Sequence, residues 1–278
     1  MTSVRRLRTA ARGKTGMDHG DGVQTSDRDN LRGAASAREP IRQMKNRLPF
    51  PLLYEDRDVI VIDKPAGMLT TQTRAKETNT AEAWLNDYVR KGQRRSRARV
   101  HLVHRLDRET GGVMMFAKSE DVAEWFRANW NELTEKTYIA RVEGEPSAGR
   151  GVFESWLLED ADGYRVRSVR APARFPRTDQ PGGRSASGRP RLPKFARTEW
   201  RKVATEAGTT LVEVALKSGR KNQIRVHFSE AGHPVVGDVK YGGRKAARLC
   251  LHSLRLRFRH PHTGEWLAFE SPAPRFPL

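Results

Sequence analysis

Acid, cysteine and long apolar runs are all scarce in this sequence. A single cysteine, Cys250, stands in 278 residues, so no intramolecular disulfide can form. That excludes a secreted scaffold held by staples and fits a reducing interior. The longest clear apolar run is Val59-Ile60-Val61-Ile62, far short of the roughly 20 residues a bilayer-spanning helix needs, which excludes a membrane-spanning protein. Hydrophobic residues make up 37% and the mean hydropathy is −0.73, so part of the length is expected to stay outside any core. Asp and Glu number 33 against 52 Lys and Arg, a net charge of +19 and a pI near 10.7. Charge on this scale attracts polyanions by releasing condensed counterions, which makes nucleic acid the leading partner; a soluble protein with solvated arginines is the bland alternative.

The charge is unevenly placed. Residues 1–48 hold eleven Lys/Arg against five Asp/Glu and no aromatic residue, and read as a disordered basic arm of a cytoplasmic protein. Folded sequence begins near Leu48 and extends as one domain, 49–278. Val59 to Ile62 reads as a buried strand, ended by the turn Lys64-Pro65-Ala66-Gly67. Thr78 or Thr80 caps a helix through Ala81, Trp84, Leu85, Tyr88 and Val89, which runs into Arg90, Lys91, Arg94, Arg95, Arg97 and Arg99, a candidate phosphate patch. Val113 to Ala117 is a second strand, and Ser119 caps a helix whose Trp125, Phe126 and Trp130 are assigned to the core. Tyr138 to Val142 and Leu211 to Leu216 alternate as strands. Between them, residues 170–194 carry seven cations, one acid and five prolines and read as a mobile basic insertion. Strands and helices without strict βαβ order point to an α+β fold with a mainly antiparallel sheet.

Two constellations could carry chemistry. His104-Arg105-Leu106-Asp107-Arg108-Glu109-Thr110-Gly111-Gly112 sets one carboxylate between arginines and ends in two glycines before a strand. Such a backbone can present Asp107 at a sheet edge, where a carboxylate serves as nucleophile or base; a surface ion pair closing a turn is the alternative. The second is Gly219-Arg220-Lys221-Asn222-Gln223-Ile224-Arg225-Val226-His227-Phe228, whose spacing suits a helix or a strand. In either, Arg225 is anchored between core positions Ile224 and Phe228 and can hold a buried carboxylate through its planar fork. Zinc chemistry at His101, His104, His227, His233 and Cys250 lacks the paired spacing it needs. Neither nucleotide-binding glycine motif is present, nor is the nucleophile elbow of hydrolases.

The stretch His104 to Thr110 resembles the catalytic motif of the RluA-type pseudouridine synthases, RNA uridine isomerases. Tyr54-Glu55-Asp56 with Lys64-Pro65-Ala66-Gly67, Lys136-Thr137-Tyr138-Ile139-Ala140, Ser218 to His227 with Gly232 to Asp238 and Tyr241-Gly242, and His260-Pro261 with Thr263-Gly264-Glu265 resemble the family's other blocks in order. The resemblance implies an α+β catalytic fold with a central, mainly antiparallel sheet, no metal and no organic cofactor. The implied substrate is ribosomal or transfer RNA; the protein is expected to be a monomer. It implies Asp107 as the essential aspartate, Arg225 as its partner and Tyr138 as the ring stacked on uracil. Arg105 would help displace the base, with His104, Arg108, Thr110, Arg220, Asn222 and Gln223 contacting RNA. Gly111 stands where many relatives have Ser, and Asn222 where many have His. No S4-like RNA-binding domain is expected in the first 48 residues. A non-catalytic RNA-binding or ribosome-assembly factor on the same fold is the competing reading, and a metal-dependent phosphodiesterase a third.

Overall fold

The computed structural model describes residues 48–73, 77–93, 95–160, 163–170 and 192–276. The basic arm and the insertion 170–194 fall outside the described residues apart from Leu48, Arg170 and 192–194. In chain order the elements are β1 (Leu52–Glu55), β2 (Val59–Lys64), α1 (Ala81–Val89), β3 (His101–Leu102), β4 (Gly111–Ala117), α2 (Glu120–Leu133) and β5 (Thr134–Glu143). They continue as β6 (Arg150–Glu159), β7 (Val166–Val169), β8 (Lys194–Glu206), β9 (Thr209–Leu216), α3 (Gln223–Glu230), β10 (Leu251–Arg259) and β11 (Trp266–Glu270). The fold is α+β: among the described residues every strand joins one sheet, in the order β1-β2-β4-β10-β5-β9-β8-β6-β7, with β3 on β4 and β11 on β10.

The sequence pattern explains the middle of that sheet. Val59 and Val61 pack with Val113, Met115 and Phe126, whereas Ile60 and Ile62 pack with Leu85, Met114 and Phe116. A strand covered on both faces reads as an unbroken apolar run instead of an alternating one. Thr80, not Thr78, caps α1, its hydroxyl accepting from Ala83 N at 3.1 Å. Ser119 caps α2 in the same manner, from Val122 N at 3.3 Å. Of the three aromatics assigned to the core of α2, Phe126 alone is fully buried; Trp125 and Trp130 are half-exposed. The helix leaves regular geometry at Asn129 (φ −123°, ψ 23°), immediately before Trp130.

Among the described residues all neighbouring strand pairs are antiparallel except β4 with β10, which run parallel through His252↔Gly111 and Ser253↔Gly112. The glycine pair permits this contact. Gly112 has φ +112°, and a Cβ there would lie 2.1 Å from the Ser253 carbonyl oxygen. Only glycine takes that conformation at that approach.

Candidate active site

Asp107 lies in the loop that delivers the chain into β4. The loop is closed from within by Thr110 N donating to the Asp107 carbonyl at 3.1 Å, and from beneath by the turn after β2, where Gly67 N donates to the Arg108 carbonyl at 2.7 Å. Lys64, 1% exposed, ties both together: its Nζ donates to the carbonyls of Met68 (2.7 Å), Pro65 (3.0 Å) and Arg108 (3.4 Å). Burial pulls the Lys64 ammonium down to about 8, against the opposing pull of Asp107 and Glu109.

The facing wall is α3. The segment that spacing left open between helix and strand is helical over Gln223–Glu230, and Arg225 is buried on it. Its guanidinium makes a bidentate pair with Asp238, Nε to Oδ2 at 2.6 Å and Nη2 to Oδ1 at 2.8 Å. The remaining nitrogen, Nη1, reaches Asp107 Oδ2 at 3.3 Å. Burial by itself disfavours the charged guanidinium, yet the hydrogen bonds and charge of Asp238, joined by Asp107, raise its pKa further above the ordinary arginine value.

Asn222 starts α3 in the left-handed region, φ +52°, and its side chain does not cap the helix. A carboxylate only accepts and an ammonium only donates, which orients its amide. Nδ2 donates to Asp107 Oδ2 at 2.8 Å, while Oδ1 accepts from the Tyr241 hydroxyl at 2.9 Å and from Lys240 Nζ at 3.3 Å. Both donors to Asp107 therefore meet one oxygen, and among the described residues Oδ1 has no hydrogen bond. The Asp107 side chain is 25% exposed in a cleft of about 360 Å³ that Arg105, Tyr138, Arg220 and Arg225 also line. Tyr138 stands on β5; burial, with a smaller push from Asp107's charge and against the Ser253 hydrogen bond, drives its phenol up to about 12, so it keeps its proton at neutral pH.

The other expected site residues divide. Arg105 is exposed on the rim. His104 lines the cleft, but its Nε2 accepts from Met115 N at 3.0 Å and its ring stacks on Trp130 at 4.7 Å; burial holds it neutral, with a pKa near 3. Gln223 spends its amide on Ser218, Arg220 N, the Arg197 carbonyl and Thr198. Thr110 is buried in the loop turn. Arg108 is not among the cleft-lining residues; it pairs with Glu77 at 3.3 Å. Lys91, Arg95, Arg97 and Arg99 are exposed and also absent from the lining. The His/Cys set weighed for zinc does not converge. The described cluster of metal-ligating type is Asp56, Asp58 and His260, where Asp56 is already filled by donors from Asp58 N, Val59 N, Tyr54 and His260.

Sequence reasoning missed Asp238, Tyr241 and Lys240 as parts of the site. Asp238 follows Gly237 in a turn, 13 residues beyond its partner, and no periodicity marks it.

A family model described as RNA pseudouridylate synthase matches residues 58–230, spanning the Asp107 loop, Tyr138 and Arg225. The chain belongs to that family. The uncharacterised RNA pseudouridine synthase YjbO of Bacillus subtilis is 32% identical over 232 residues, 82% of this chain and 74% of that protein. The ribosomal large subunit pseudouridine synthase D of Nitrosomonas europaea is 31% identical over 245 residues, 82% of this chain and 63% of its own length. The fold matches that of human RNA pseudouridylate synthase domain containing 4, with a TM-score of 0.60 at 23% identity over 81% of this chain and 88% of that one. As a member of the pseudouridine synthases, the protein is an isomerase that acts on RNA. Among the described residues no helix is long and apolar enough to cross a membrane.

Proposed function

We propose that this pseudouridine synthase isomerises uridines of ribosomal RNA in the cytoplasm, with Asp107 as its catalytic carboxylate. The observation that carries the reading is the asymmetry of that carboxylate: Oδ2 is fixed by Arg225 and Asn222, and Oδ1 has no hydrogen bond among the described residues, in a cationic cleft beside Tyr138. An extruded uridine stacks on Tyr138, worth about 1–3 kcal/mol, and Arg105 at the rim occupies the vacated stack, offsetting part of the few kcal/mol that base flipping costs. The free carboxylate oxygen then acts on the ribose. The N1–C1′ bond breaks, the uracil turns while bound, C5 joins C1′, and the proton displaced from C5 is replaced by one on N1. Nothing is oxidised or hydrolysed. The naming of relatives for the large ribosomal subunit favours ribosomal over transfer RNA as substrate.

Because C5 loses its hydrogen in the product, transcripts labelled with tritium at uridine C5 report each event as released label. Purified protein is expected to release tritium from ribosomal transcripts. Release from transfer RNA alone would overturn the ribosomal assignment, and no release from either would overturn the isomerase reading.

The hydrogen bond from its amide to Asp107 supports a role for Asn222 in aiming that carboxylate. Asn222→Gly keeps a residue at ease at φ +52° while deleting the amide, so folding is expected to survive. Losing one hydrogen bond to a charged group should lower kcat by about tenfold to a hundredfold with little change in KM. An unchanged kcat would show that Arg225 alone aims the carboxylate.

A further inference from the structure

Lys136 is the least explained charge in the cleft. It lies on β5 two residues before Tyr138 and on the same face, is 6% exposed and lines the cavity. No acidic side chain pairs with it among the described residues. Its Nζ donates to Asn131 Oδ1 at 3.1 Å and sits 5.7 Å from the centre of the Trp130 ring, leaving most of its donor capacity unused. Arg220 lines the same cavity, its Nε spent on the Phe195 carbonyl at 2.9 Å, again with no acid among the described residues. Lys217 follows Leu216, the β9 residue in register with Lys136, but it is exposed, pairs with Glu199 at 3.4 Å and does not line the cavity.

Burying an unpaired ammonium is costly unless something anionic joins it. Burial, reinforced by the charges of Arg220 and Lys217, lowers the Lys136 pKa to about 8. Lys136 thus sits in the repulsive field of neighbouring cations, which a bound anion would relieve. Side chains two residues apart on a strand are about 7 Å apart, comparable to the separation of a nucleobase from its own phosphate.

We propose that Lys136 and Arg220 form a phosphodiester subsite that grips the RNA backbone next to the extruded uridine. The proposal rests on the reading that Tyr138 stacks that uridine, and its test is kept independent of turnover.

The test is equilibrium binding of a fluorescein-labelled, uridine-centred single-stranded RNA to Lys136→Met as a function of salt. Removing one phosphate contact should weaken binding about tenfold and reduce the slope of log affinity against log salt by about 0.7. The melting temperature should hold or rise, because an uncompensated buried charge is gone. Lys136→Gln serves if the Met variant aggregates, and Lys202→Met, which removes a cation paired with Glu145 elsewhere, controls for net charge. An unchanged slope in both Lys136 variants, or a slope change matched by Lys202→Met, overturns the subsite. Loss of melting temperature at constant slope overturns it too, by showing a packing role for Lys136. If the wild type binds with the expected slope difference yet releases no tritium, the subsite stands and the isomerase reading fails.

Discussion

Asp107→Asn is expected to abolish tritium release, by about 10⁴-fold or more, while leaving the protein folded and bound to RNA. The substitution is nearly isosteric, but an amide neither attacks C1′ nor takes a proton. Arg225 retains its bidentate pair with the fully buried Asp238, and Asp107 is partly exposed, so little stability is at stake. RNA affinity should hold or improve, because a negative charge is removed from a cleft lined by Arg105, Lys136, Arg220 and Arg225. Single-turnover release and equilibrium binding measured on the same preparation check both halves. Normal product yield would refute the catalytic assignment; simultaneous loss of binding and melting temperature would place Asp107 in the scaffold instead.

Asp238→Asn should be the more damaging change to the protein itself. It leaves Arg225 charged, buried and without its main partner, at a cost of about 3–5 kcal/mol, which for a domain of this size lowers the melting midpoint by roughly 10 °C. Turnover should also fall, since the guanidinium that fixes Asp107 Oδ2 is itself fixed by Asp238. The decisive comparison is the double variant Arg225→Met with Asp238→Asn. Removing the stranded cation should recover part of the lost stability without recovering activity, a non-additivity that a coupled pair shows and independent sites do not. Melting of Asp238→Asn together with the wild type would mean that the pair contributes no net stability.

These two carboxylates mark how far the sequence could be read. Asp107 stands out because it is flanked by arginines and followed by two glycines whose role, the approach of β4 to β10, is local and stereochemical. Arg225 stands out because apolar neighbours anchor it. Asp238 does not, since its importance comes from a contact made only once the chain has folded, and a turn residue carries no periodicity. Trp130 packs against Phe126 and its cluster, as helical spacing predicts, and its other face stacks on His104 at the cleft wall, which spacing does not reveal. Lys136 is hidden for a related reason: alternation along β5 makes any residue at its position inward-facing, but it does not say that the interior there is an open cleft. The β-sheet itself was legible in its buried runs, while the placement of β10 between β4 and β5 was not, because strand order is set by contacts far apart in sequence.

That placement bears on how the molecule is made. β4 and β5 are joined through α2 alone, yet each must wait for a strand translated more than a hundred residues later to fill the space between them. While β6 to β8 are made, β4 lacks one neighbour and β5 lacks both, and such open edges invite pairing with other chains. The Asp107 loop meanwhile lacks the glycine-to-serine contact that seats the strand it leads into. A ribosome-bound fragment ending before Leu251 lacks both the strand that abuts Gly111 and Gly112 and a residue of the cleft wall, so the cleft is expected to assemble only once the late strand has arrived.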